Sequence, residues 1–373
     1  MIPLTFLFLL AGLPGAPATP ASPVLPEGGG EHAFQPIGTL FPERSSHPAA
    51  ISKDGRTVVG TAGTGLGLRA FRWTRPTGMQ GIHPDKWDHE TFAFAVSADG
   101  SRIAGDGADE TGNHRQAFLW TREEGVSKGL GFVGAGFFST ARAILPDGTV
   151  LGFATAADNL SSVVAWTAGS DATVVLVPGT PDYVVWPAFA RELKDGRFEF
   201  FGTAWHAPTA HASGVSWSAR PGFTRLGPFP EKYVIVMPND MARDGTLVCS
   251  GIPAAGPGRA LALLPGGEVR ELPTPGGFGS TALAISEDGG RIVGTMYAGP
   301  NQASVLWERT AHGEFELHAL QSVLLAAGVL PPAAGWLLHT ATDVSGDGEL
   351  ICGEGLNSGA QRIEGWVARV PRR

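Results

Sequence analysis

The chain has 373 residues, of which 43% are apolar, and glycine (53) and proline (29) together make up more than a fifth of it. This apolar content argues against disorder, and so much glycine and proline without a collagen-like period is typical of many short strands joined by turns. The 27 basic and 35 acidic residues give a net charge of −8, and no run of Lys or Arg occurs, which speaks against nucleic acid or an anionic membrane surface as the partner.

The first residues differ from the rest of the chain. PLTFLFLLAGL, residues 3–13, is an apolar run too short to span a bilayer, and small residues and prolines follow it. This pattern predicts a signal peptide over residues 1–21 and a Pro/Gly-rich linker over 22–32, and therefore a secreted, periplasmic or cell-surface protein. No later segment approaches eighteen uninterrupted apolar residues, so we expect no membrane insertion.

An Asp-Gly pair recurs throughout the chain. Its aspartates, at spacings of 45, 48, 48, 49, 44 and 59 residues, are Asp54, Asp99, Asp147, Asp195, Asp244, Asp288 and Asp347. A second landmark follows each pair after 19 to 22 residues: Trp73, Trp120, Trp166, Trp217, Leu263, Trp307 and Trp366. Two landmarks that stay in step through seven units indicate a repeat of the kind that forms arrays or propellers.

Each unit is predicted to contain four short strands. In the first unit these are HPAAIS before Asp-Gly, TVVG after it, RAFRWT with the Trp, and a last strand that resembles GMQGI. Asp-Gly between two strands is a strong hairpin signal, and the turn expected there places both residues at positive φ. The glycine that follows, such as Gly60 or Gly105, marks either the end of the second strand or a close approach of neighbouring backbones.

The two ends of the chain predict how the repeat closes. After Trp366 only VARVPRR remains, too short for a turn and a fourth strand, whereas FQPIGTL at residues 34–40 matches the fourth-strand pattern. We therefore expect one all-β domain over residues 33–371, a seven-bladed β-propeller with four-stranded antiparallel blades. The N-terminal strand should close the ring by pairing with the C-terminal blade.

These units resemble the extracellular HAF-type repeats of exported bacterial proteins, through AISxDGxxVVG followed by AFRWT and GMQGI, and the resemblance covers residues 34–370. It implies export and a β-propeller-like fold, but no established activity. The last spacing is similar to that family's terminal unit, in which a short helix, here Leu320 to Val329, and a Gly-Trp pair, here Gly335-Trp336, precede the final repeat. The fourth unit, with ARELKDG, and the fifth, with Leu263 for Trp, depart from the pattern, so their strand register is open.

Aromatic residues outside the repeated Trp position are predicted to lie on one face of such a ring. Trp87, Trp186 and Trp336 fall in connections between units, Trp205 falls between the second and third strands of the fourth unit, and Tyr233 lies nearby. Aromatic rings around a shallow funnel suit stacking on sugars or gripping a peptide. The competing interpretation is that each ring covers the apolar edge of a neighbouring sheet.

Polar residues interrupt the first strands, which should line the central channel. We take Arg142, Arg191, Glu192, Asp240 and Asp343 as candidate ligand-binding residues, together with the aromatic Trp87, Trp186, Trp205 and Tyr233. A water-filled channel also tolerates charged linings without any ligand.

Metal and cofactor signals are weak. His206 and His211 in WHAPTAH could share a metal only if that loop brings them together, and GDGADETGN, with Asp106, Asp109, Glu110 and Asn113, lacks the EF-hand spacing. Neither pattern is strong enough for us to predict a metal site, and we expect no cofactor. The two cysteines, Cys249 and Cys352, each follow an Asp of the pair by five residues, so we expect equivalent buried positions and no disulfide.

No nucleophile, zinc or phosphate-loop motif occurs in the sequence. We therefore expect a monomeric exported binding module, for a glycan or an extracellular protein segment, rather than an enzyme. The alternatives are a hydrolase or lyase that acts on polysaccharide, with carboxylates or a His/Arg pair in the channel mouth, and a purely structural surface protein.

Overall fold

A computed structural model of the chain describes residues 34–372, apart from 85–86, 88, 109–111, 126, 168–172, 193–197, 210 and 218–223. The predicted signal peptide and linker, residues 1–21 and 22–32, therefore lie outside the described residues. The described part is all-β, with a single α-helix, α1 (Leu320–Ala326). No described helix is long and apolar enough to cross a membrane.

The strands form antiparallel meanders of four, which we number as units in chain order. Strand β1 (Gln35–Gly38) precedes unit 1. Unit 1 consists of β2 (Ser46–Ile51), β3 (Thr57–Thr64), β4 (Gly67–Thr74) and β5 (Gly78–Gly81). Unit 2 consists of β6 (Thr91–Val96), β7 (Arg102–Ala108), β8 (Arg115–Thr121) and β9 (Ser127–Gly131). Unit 3 consists of β10 (Phe138–Ile144), β11 (Val150–Thr155), β12 (Ser161–Trp166) and β13 (Thr173–Val177).

The remaining units follow the same order. Unit 4 consists of β14 (Tyr183–Glu192), β15 (Phe198–His206), β16 (His211–Trp217) and β17 (Thr224–Arg225). Unit 5 consists of β18 (Tyr233–Met241), β19 (Leu247–Pro253), β20 (Arg259–Leu263) and β21 (Val269–Glu271). Unit 6 consists of β22 (Gly279–Ile285), β23 (Arg291–Ala298), β24 (Asn301–Arg309) and β25 (Phe315–Ala319). Unit 7 consists of β26 (Trp336–Val344), β27 (Leu350–Asn357) and β28 (Arg362–Arg369), and β1 pairs with β28 as its fourth strand.

The Asp-Gly hairpins differ in detail from the expected turn. In unit 1 the Ser52 carbonyl accepts a hydrogen bond from Gly55 N–H at 2.8 Å, and only Gly55 of the pair has positive φ, at 72°. The Asp54 carboxylate instead accepts hydrogen bonds from the Arg56 N–H and the Ser52 hydroxyl, at 3.0 and 2.5 Å. Aspartate is therefore used for its side-chain acceptor, and the prediction that both residues take positive φ is wrong.

Close backbone approach explains the glycine that follows six of the seven hairpins. A Cβ on Gly60 would lie 2.1 Å from the His47 carbonyl oxygen, and one on Gly294 would lie 2.0 Å from that of Thr281. Strand β3 continues beyond Gly60, so this position marks a close approach rather than the end of the strand. The partner strand bulges at the same level in every unit, with the register shift in unit 1 between Pro48 and Ala50.

Consecutive units pack face to face, and apolar clusters fill the space between them. Six of the seven repeated Trp or Leu positions share one register, two residues before the conserved close approach, as in Val58 opposite Trp73. Trp366 lies opposite Gly353 itself, two positions away, because the turn between β27 and β28 is two residues longer than that between β3 and β4. A shift of two residues keeps Trp366 on the same face of its sheet, where it is fully buried.

A side-chain hydroxyl at one repeated position forms hydrogen bonds between several pairs of units. A Ser or Thr near the start of the first strand accepts a hydrogen bond from an N–H in the third strand of the preceding unit. These hydroxyl bridges are Thr91 to Ala70 N–H (2.9 Å), Ser139 to Ala117 (2.9 Å), Ser280 to Ala260 (3.0 Å) and Ser46 to Gly365 (3.0 Å). They join units 1 and 2, 2 and 3, 5 and 6, and 7 and 1.

The hairpin turns of units 5, 6, 7 and 1 are also connected, through the residue before each repeated Asp. Arg243 N–H donates to the Glu287 carbonyl, Glu287 N–H to that of Gly346, and Gly346 N–H to that of Lys53, at 2.9 to 3.0 Å. Backbone hydrogen bonds thus run from turn to turn, including from the last unit to the first.

The N-terminal segment and the helix cover one side of unit 7. Phe34 packs against Trp336 and Trp366, with ring centroids at 5.1 and 6.0 Å, and Ile37 is buried. Helix α1 ends at Ala326, three residues before the end predicted at Val329. Trp336 of the Gly-Trp pair is buried against this helix.

Both cysteines are buried free thiols, but they are not equivalent. Cys249 lies opposite Pro238, at the close-approach position that glycine occupies elsewhere, whereas Cys352 lies opposite Asp343, one residue before Gly353. The hairpin of unit 5 is one residue shorter, so equal sequence offsets give different register. The expected equivalence of the two positions is therefore wrong.

Candidate functional site

Two of the predicted aromatic residues lie close to each other on unit 4. The prediction that they fall in connections is wrong, because Trp186 lies within β14 and Trp205 within β15. Trp186 pairs across the sheet with Thr203, and Trp205 pairs with Val184. Cross-strand partners share a face, and alternate residues of a strand point to the same side, so Trp186 and Trp205 lie on one face at diagonal positions. Trp186 is 39% exposed, which is unusual for a large aromatic side chain, and Trp205 is half-buried.

That face borders a groove between units 4 and 5. The groove has a volume of about 400 Å³. Its walls combine apolar, aromatic and charged side chains, among them Arg225, Leu226, Phe229, Glu231 and Tyr233. Trp205 lies directly opposite Ala212, another residue of the wall, and Ala212 forms the parallel bridge to Ile235 that joins the two units. Tyr233 therefore lines the groove, Trp205 is the cross-strand neighbour of a residue in its wall, and Trp186 lies on the same face one strand further away.

Tyr233 belongs to both the groove and the core. It is 9% exposed and packs in the apolar cluster with Phe201, Val236 and Leu261. Burial raises the pKa of its phenol, and the nearby Glu271 carboxylate raises it further, so the group stays neutral. Lys232 lies over the ring at 5.1 Å and forms an ion pair with Glu271.

Trp87 is not part of this arrangement. It is 6% exposed and packs edge-on against Phe118, with ring centroids at 6.2 Å, inside the cluster between units 1 and 2. Its ring presents no open face on which a sugar could stack. Trp87 is therefore a core residue that packs units 1 and 2 together.

The predicted acidic residues Asp240 and Asp343 come together at the hairpin end. Each occupies the position after the bulge and accepts a hydrogen bond from another unit: Asp240 from Ile285 N–H of unit 6 at 3.0 Å, and Asp343 from Ile51 N–H of unit 1 at 2.8 Å. The Lys53 ammonium lies 3.9 Å from Asp240, and its pKa is raised, mainly by Asp240 and further by Asp343. Burial raises the pKa of Asp343 to about 6, against the opposing effect of Lys53.

Arg142 and Arg191 have different surroundings. Arg191 forms hydrogen bonds with Glu199 at 2.9 and 2.5 Å, so its charge is already compensated. Arg142 lies over the Phe94 ring at 3.9 Å, and burial lowers the pKa of its guanidinium. The Glu192 side chain lies outside the described residues.

The two weak metal patterns are placed only in part. His206 and His211 are cross-strand partners in β15 and β16, and His206 Nδ1 lies 2.7 Å from the Thr209 hydroxyl. Asp106 pairs with Arg115 at 2.6 Å, while Asp109 and Glu110 lie outside the described residues. Among the residues that the structure describes, no group of three or more His, Cys, Asp or Glu side chains is arranged to hold a metal.

Sequence reasoning missed Lys53 and Phe94. Lys53 occupies a surface-like turn position, and only the packing of units 1, 5 and 7 brings it to the two aspartates. Phe94 could have been found, because it lies five residues before the Asp of its unit, as Arg142 does in the next one.

Neither a protein-family model nor a curated protein matches the chain. Among solved structures, oligogalacturonate lyase in complex with manganese is similar with a TM-score of 0.59 and 12% identity, over 92% of this chain and 95% of that one. The oligogalacturonate lyase of Vibrio parahaemolyticus has a TM-score of 0.58 and 10% identity over the same shares. The β-propeller domain of the Trilobed protease from Pyrococcus furiosus has a TM-score of 0.55 and 13% identity, over 87% of this chain and 95% of that one.

The chain spans 62% of the length of TolB from Acinetobacter baumannii, with a TM-score of 0.48 and 15% identity. At such identities the likenesses concern the fold alone. The structures with TM-scores of 0.55 to 0.59 support a β-propeller type of architecture.

Proposed function

We propose that the protein is an exported β-propeller that binds a glycan through the groove between units 4 and 5. The observation that carries this proposal is the diagonal pair Trp186 and Trp205, which lies on the same face of unit 4 as the groove-wall residue Ala212, with Trp186 exposed. Flat aromatic faces stack on sugar rings, and the charged walls of the groove can hydrogen-bond hydroxyl groups. An extracellular protein segment is the other ligand that such a groove suits.

The proposed architecture is a seven-bladed ring that β1 closes. Three features support it: β1 pairs with β28, Asp343 bonds to Ile51, and the Ser46 hydroxyl bridge between units 7 and 1 has the same form as those between consecutive units. If the contacts between units 7 and 1 repeat those between internal units, neither end of the repeat leaves an unpaired strand edge.

The experiment is affinity electrophoresis of the protein through gels that contain pectin, alginate, xylan or cellulose derivatives. We expect retardation by at least one polysaccharide, and about tenfold weaker retention for Trp186→Ala and Trp205→Ala, since an aromatic stacking partner contributes on the order of 1 kcal/mol or more. Phe41→Ala is the matched control, because Phe41 is an exposed aromatic outside the groove.

Two results would count against the proposal. Retardation that is unchanged in both Trp variants would remove the groove from the binding site. Absence of retardation, combined with capture of a defined extracellular peptide that the Trp variants abolish, would identify the ligand as protein instead.

A polysaccharide lyase or hydrolase is the second candidate. It is favoured by Lys53 between two carboxyl groups, one of which has its pKa raised to about 6, because such perturbed groups cluster at catalytic sites. The oligogalacturonate lyases of similar fold show that this architecture can carry such chemistry. Release of reducing ends or unsaturated sugars from the retarding polysaccharide, lost in Lys53→Met, would establish this activity.

Export and membership of the HAF-type repeat family belong to the same proposal. They are supported by the apolar run at residues 3–13 and by the repeated AISxDG pattern. Detection of the mature chain outside the cytoplasm, with its N-terminus near residue 22, would test the export proposal.

A further inference from the structure

One residue bulges out of the first strand in every unit. The register shift leaves a single residue unpaired between the position opposite the close approach and the next paired residue. These bulged residues are Ala49, Phe94, Arg142, Ala188, Asn239, Leu283 and Thr342. A bulge turns its side chain away from the pleat, and bulges are enriched beside functional sites.

The bulged residues are more exposed than the residues that precede them in the strand. All seven are partly or fully exposed, whereas the residue before each of them is buried. Two members of the set touch, because Arg142 of unit 3 lies over Phe94 of unit 2. The Asn239 amide donates to the carbonyl of Ala282, the residue before Leu283, at 2.6 Å. In the closed ring proposed above, these side chains line the axial channel.

Arg142 is the charged member of this set. Its guanidinium lies 3.9 Å from the centroid of Phe94, which stacks in parallel with Phe92 at 6.1 Å. The Asp106 carboxylate raises the pKa of Arg142, but it pairs directly with Arg115 at 2.6 Å, so two guanidinium groups share one carboxylate. Arg115 also covers Phe92. Within the described residues, no hydrogen bond or ion pair joins the Arg142 guanidinium to another group.

A guanidinium that is fixed in place and has no ion pair of its own is suited to bind an anion. Packing against Phe94 fixes the guanidinium in place, so little side-chain entropy remains to be lost when an anion binds. Removal from bulk water without an ionic partner is unfavourable, and an incoming anion relieves it.

We propose that Arg142 binds the carboxylate of a small organic acid or acidic sugar in the axial channel. Arginine presents paired N–H donors that match the two oxygens of a carboxylate. A singly charged anion fits better than a phosphate dianion, because one uncompensated cation is present, Asp240 and Asp343 line the hairpin end, and the chain carries a net charge of −8. The inference rests on the ring architecture of the proposed function, but not on the groove.

The test is titration of the full chain at constant ionic strength, followed by ligand-observed NMR and by the melting temperature. The probes are sodium D-glucuronate and N-acetylglycine, two carboxylates of different origin, with D-glucose as the uncharged match and inorganic phosphate as the dianion. We compare wild type with Arg142→Met, Arg142→Lys and the control Arg56→Met, which removes a surface arginine on a turn.

The wild type and the control should bind one or both carboxylates more tightly than phosphate, and should not bind glucose. Arg142→Met should weaken that binding at least tenfold and should melt no lower than wild type without ligand, because it removes an uncompensated cation. Arg142→Lys should be intermediate, and it replaces the Met variant if that one does not fold. Preference for glucuronate or N-acetylglycine tells a sugar acid from a peptide-like acid.

Equal carboxylate binding by wild type and both Arg142 variants would overturn the proposal, as would tighter binding of phosphate or no binding of either carboxylate. The two sites fail separately. Polysaccharide retention that survives in Arg142→Met, and carboxylate binding that survives in Trp186→Ala, would show that groove and channel are distinct.

Discussion

The junction between units 7 and 1 and the junction between units 4 and 5 are built differently. The first contains the Ser46 hydroxyl bridge to Gly365 and the bond from Ile51 N–H to Asp343, and it shares an apolar cluster around Val58 and Val367. At the second, the position equivalent to Ser46 is Val236, which has no hydroxyl, and Val236 lines the groove.

The junction between units 6 and 7 supports the same distinction. Leu338, which pairs with Gly355, takes the position of Ser46 there, and it lines a groove of about 510 Å³. A hydroxyl bridge satisfies a backbone N–H and draws the two sheets together, whereas its absence leaves room between them. The unbridged 4/5 and 6/7 junctions thus contain grooves, whereas apolar side chains fill the unbridged junction between units 3 and 4.

Deletion of residues 31–41 should break the 7/1 junction most severely. It removes β1 and buried Phe34, and it exposes the edge of β28. We expect a fall in melting temperature of more than 10 °C or aggregation, since the loss of a single buried Phe side chain costs about 3–5 kcal/mol. Deletion of the linker, residues 22–32, is the control, and a melting curve equal to the control's would refute ring closure by β1.

The pH dependence of stability should expose Asp343. Its pKa in the fold is about 6, raised by burial from the ordinary value of 3.8, so between these pH values the folded state binds more protons than the unfolded one. The contribution of Asp343 to stability is therefore greatest at low pH and falls as the pH rises to about 6, by about 3 kcal/mol for a difference of two pKa units.

Asp343→Asn does not titrate, so its free energy of unfolding should vary less between pH 4 and 7 than that of wild type. Denaturant melts at each pH provide the measurement. Asp182→Asn controls for the change in net charge, because Asp182 is exposed. Parallel profiles for wild type and Asp343→Asn would contradict the burial of a titrating carboxyl group at this junction.

Matched removal of two hydroxyl bridges tests whether the 7/1 junction equals an internal one. Ser46→Ala and Ser280→Ala each leave a buried backbone N–H without its acceptor, which costs about 1–3 kcal/mol. We expect similar losses by chemical denaturation for the two variants. A loss in Ser280→Ala with none in Ser46→Ala would mean that units 7 and 1 are not joined as neighbours.

The smallest effect is expected when a hydroxyl is added at the open junction. Val236→Thr keeps the branching at Cβ and offers a hydroxyl acceptor to an N–H of β16. The new hydrogen bond should nearly offset the cost of burying the hydroxyl, so stability should change by less than about 1 kcal/mol. If the glycan binds in the groove, a hydrogen bond that draws units 4 and 5 together should narrow the groove and weaken retention in the gel. Val185→Thr, the same change between units 3 and 4, is the control, and equal effects of the two variants on retention would argue against the groove.

The features that depend on interactions within one unit could be predicted from the sequence. Asp-Gly pairs, the glycine after each pair and the Trp position follow from turn chemistry, close backbone approach and burial, which act within one unit, so the spacing of the repeat reveals them. The sequence also indicated that FQPIGTL would behave as a strand.

Which residues contact one another across units could not be predicted before the packing of the sheets was known. One residue more or less in a hairpin shifted Cys249 relative to Cys352, and two residues in a turn shifted Trp366, although their offsets in the sequence are equal. Whether Trp87 is buried while Trp186 is exposed, and whether Lys53 reaches Asp240, depends on how neighbouring sheets pack. That packing is a sum of contacts between distant segments, and no spacing along the chain records it.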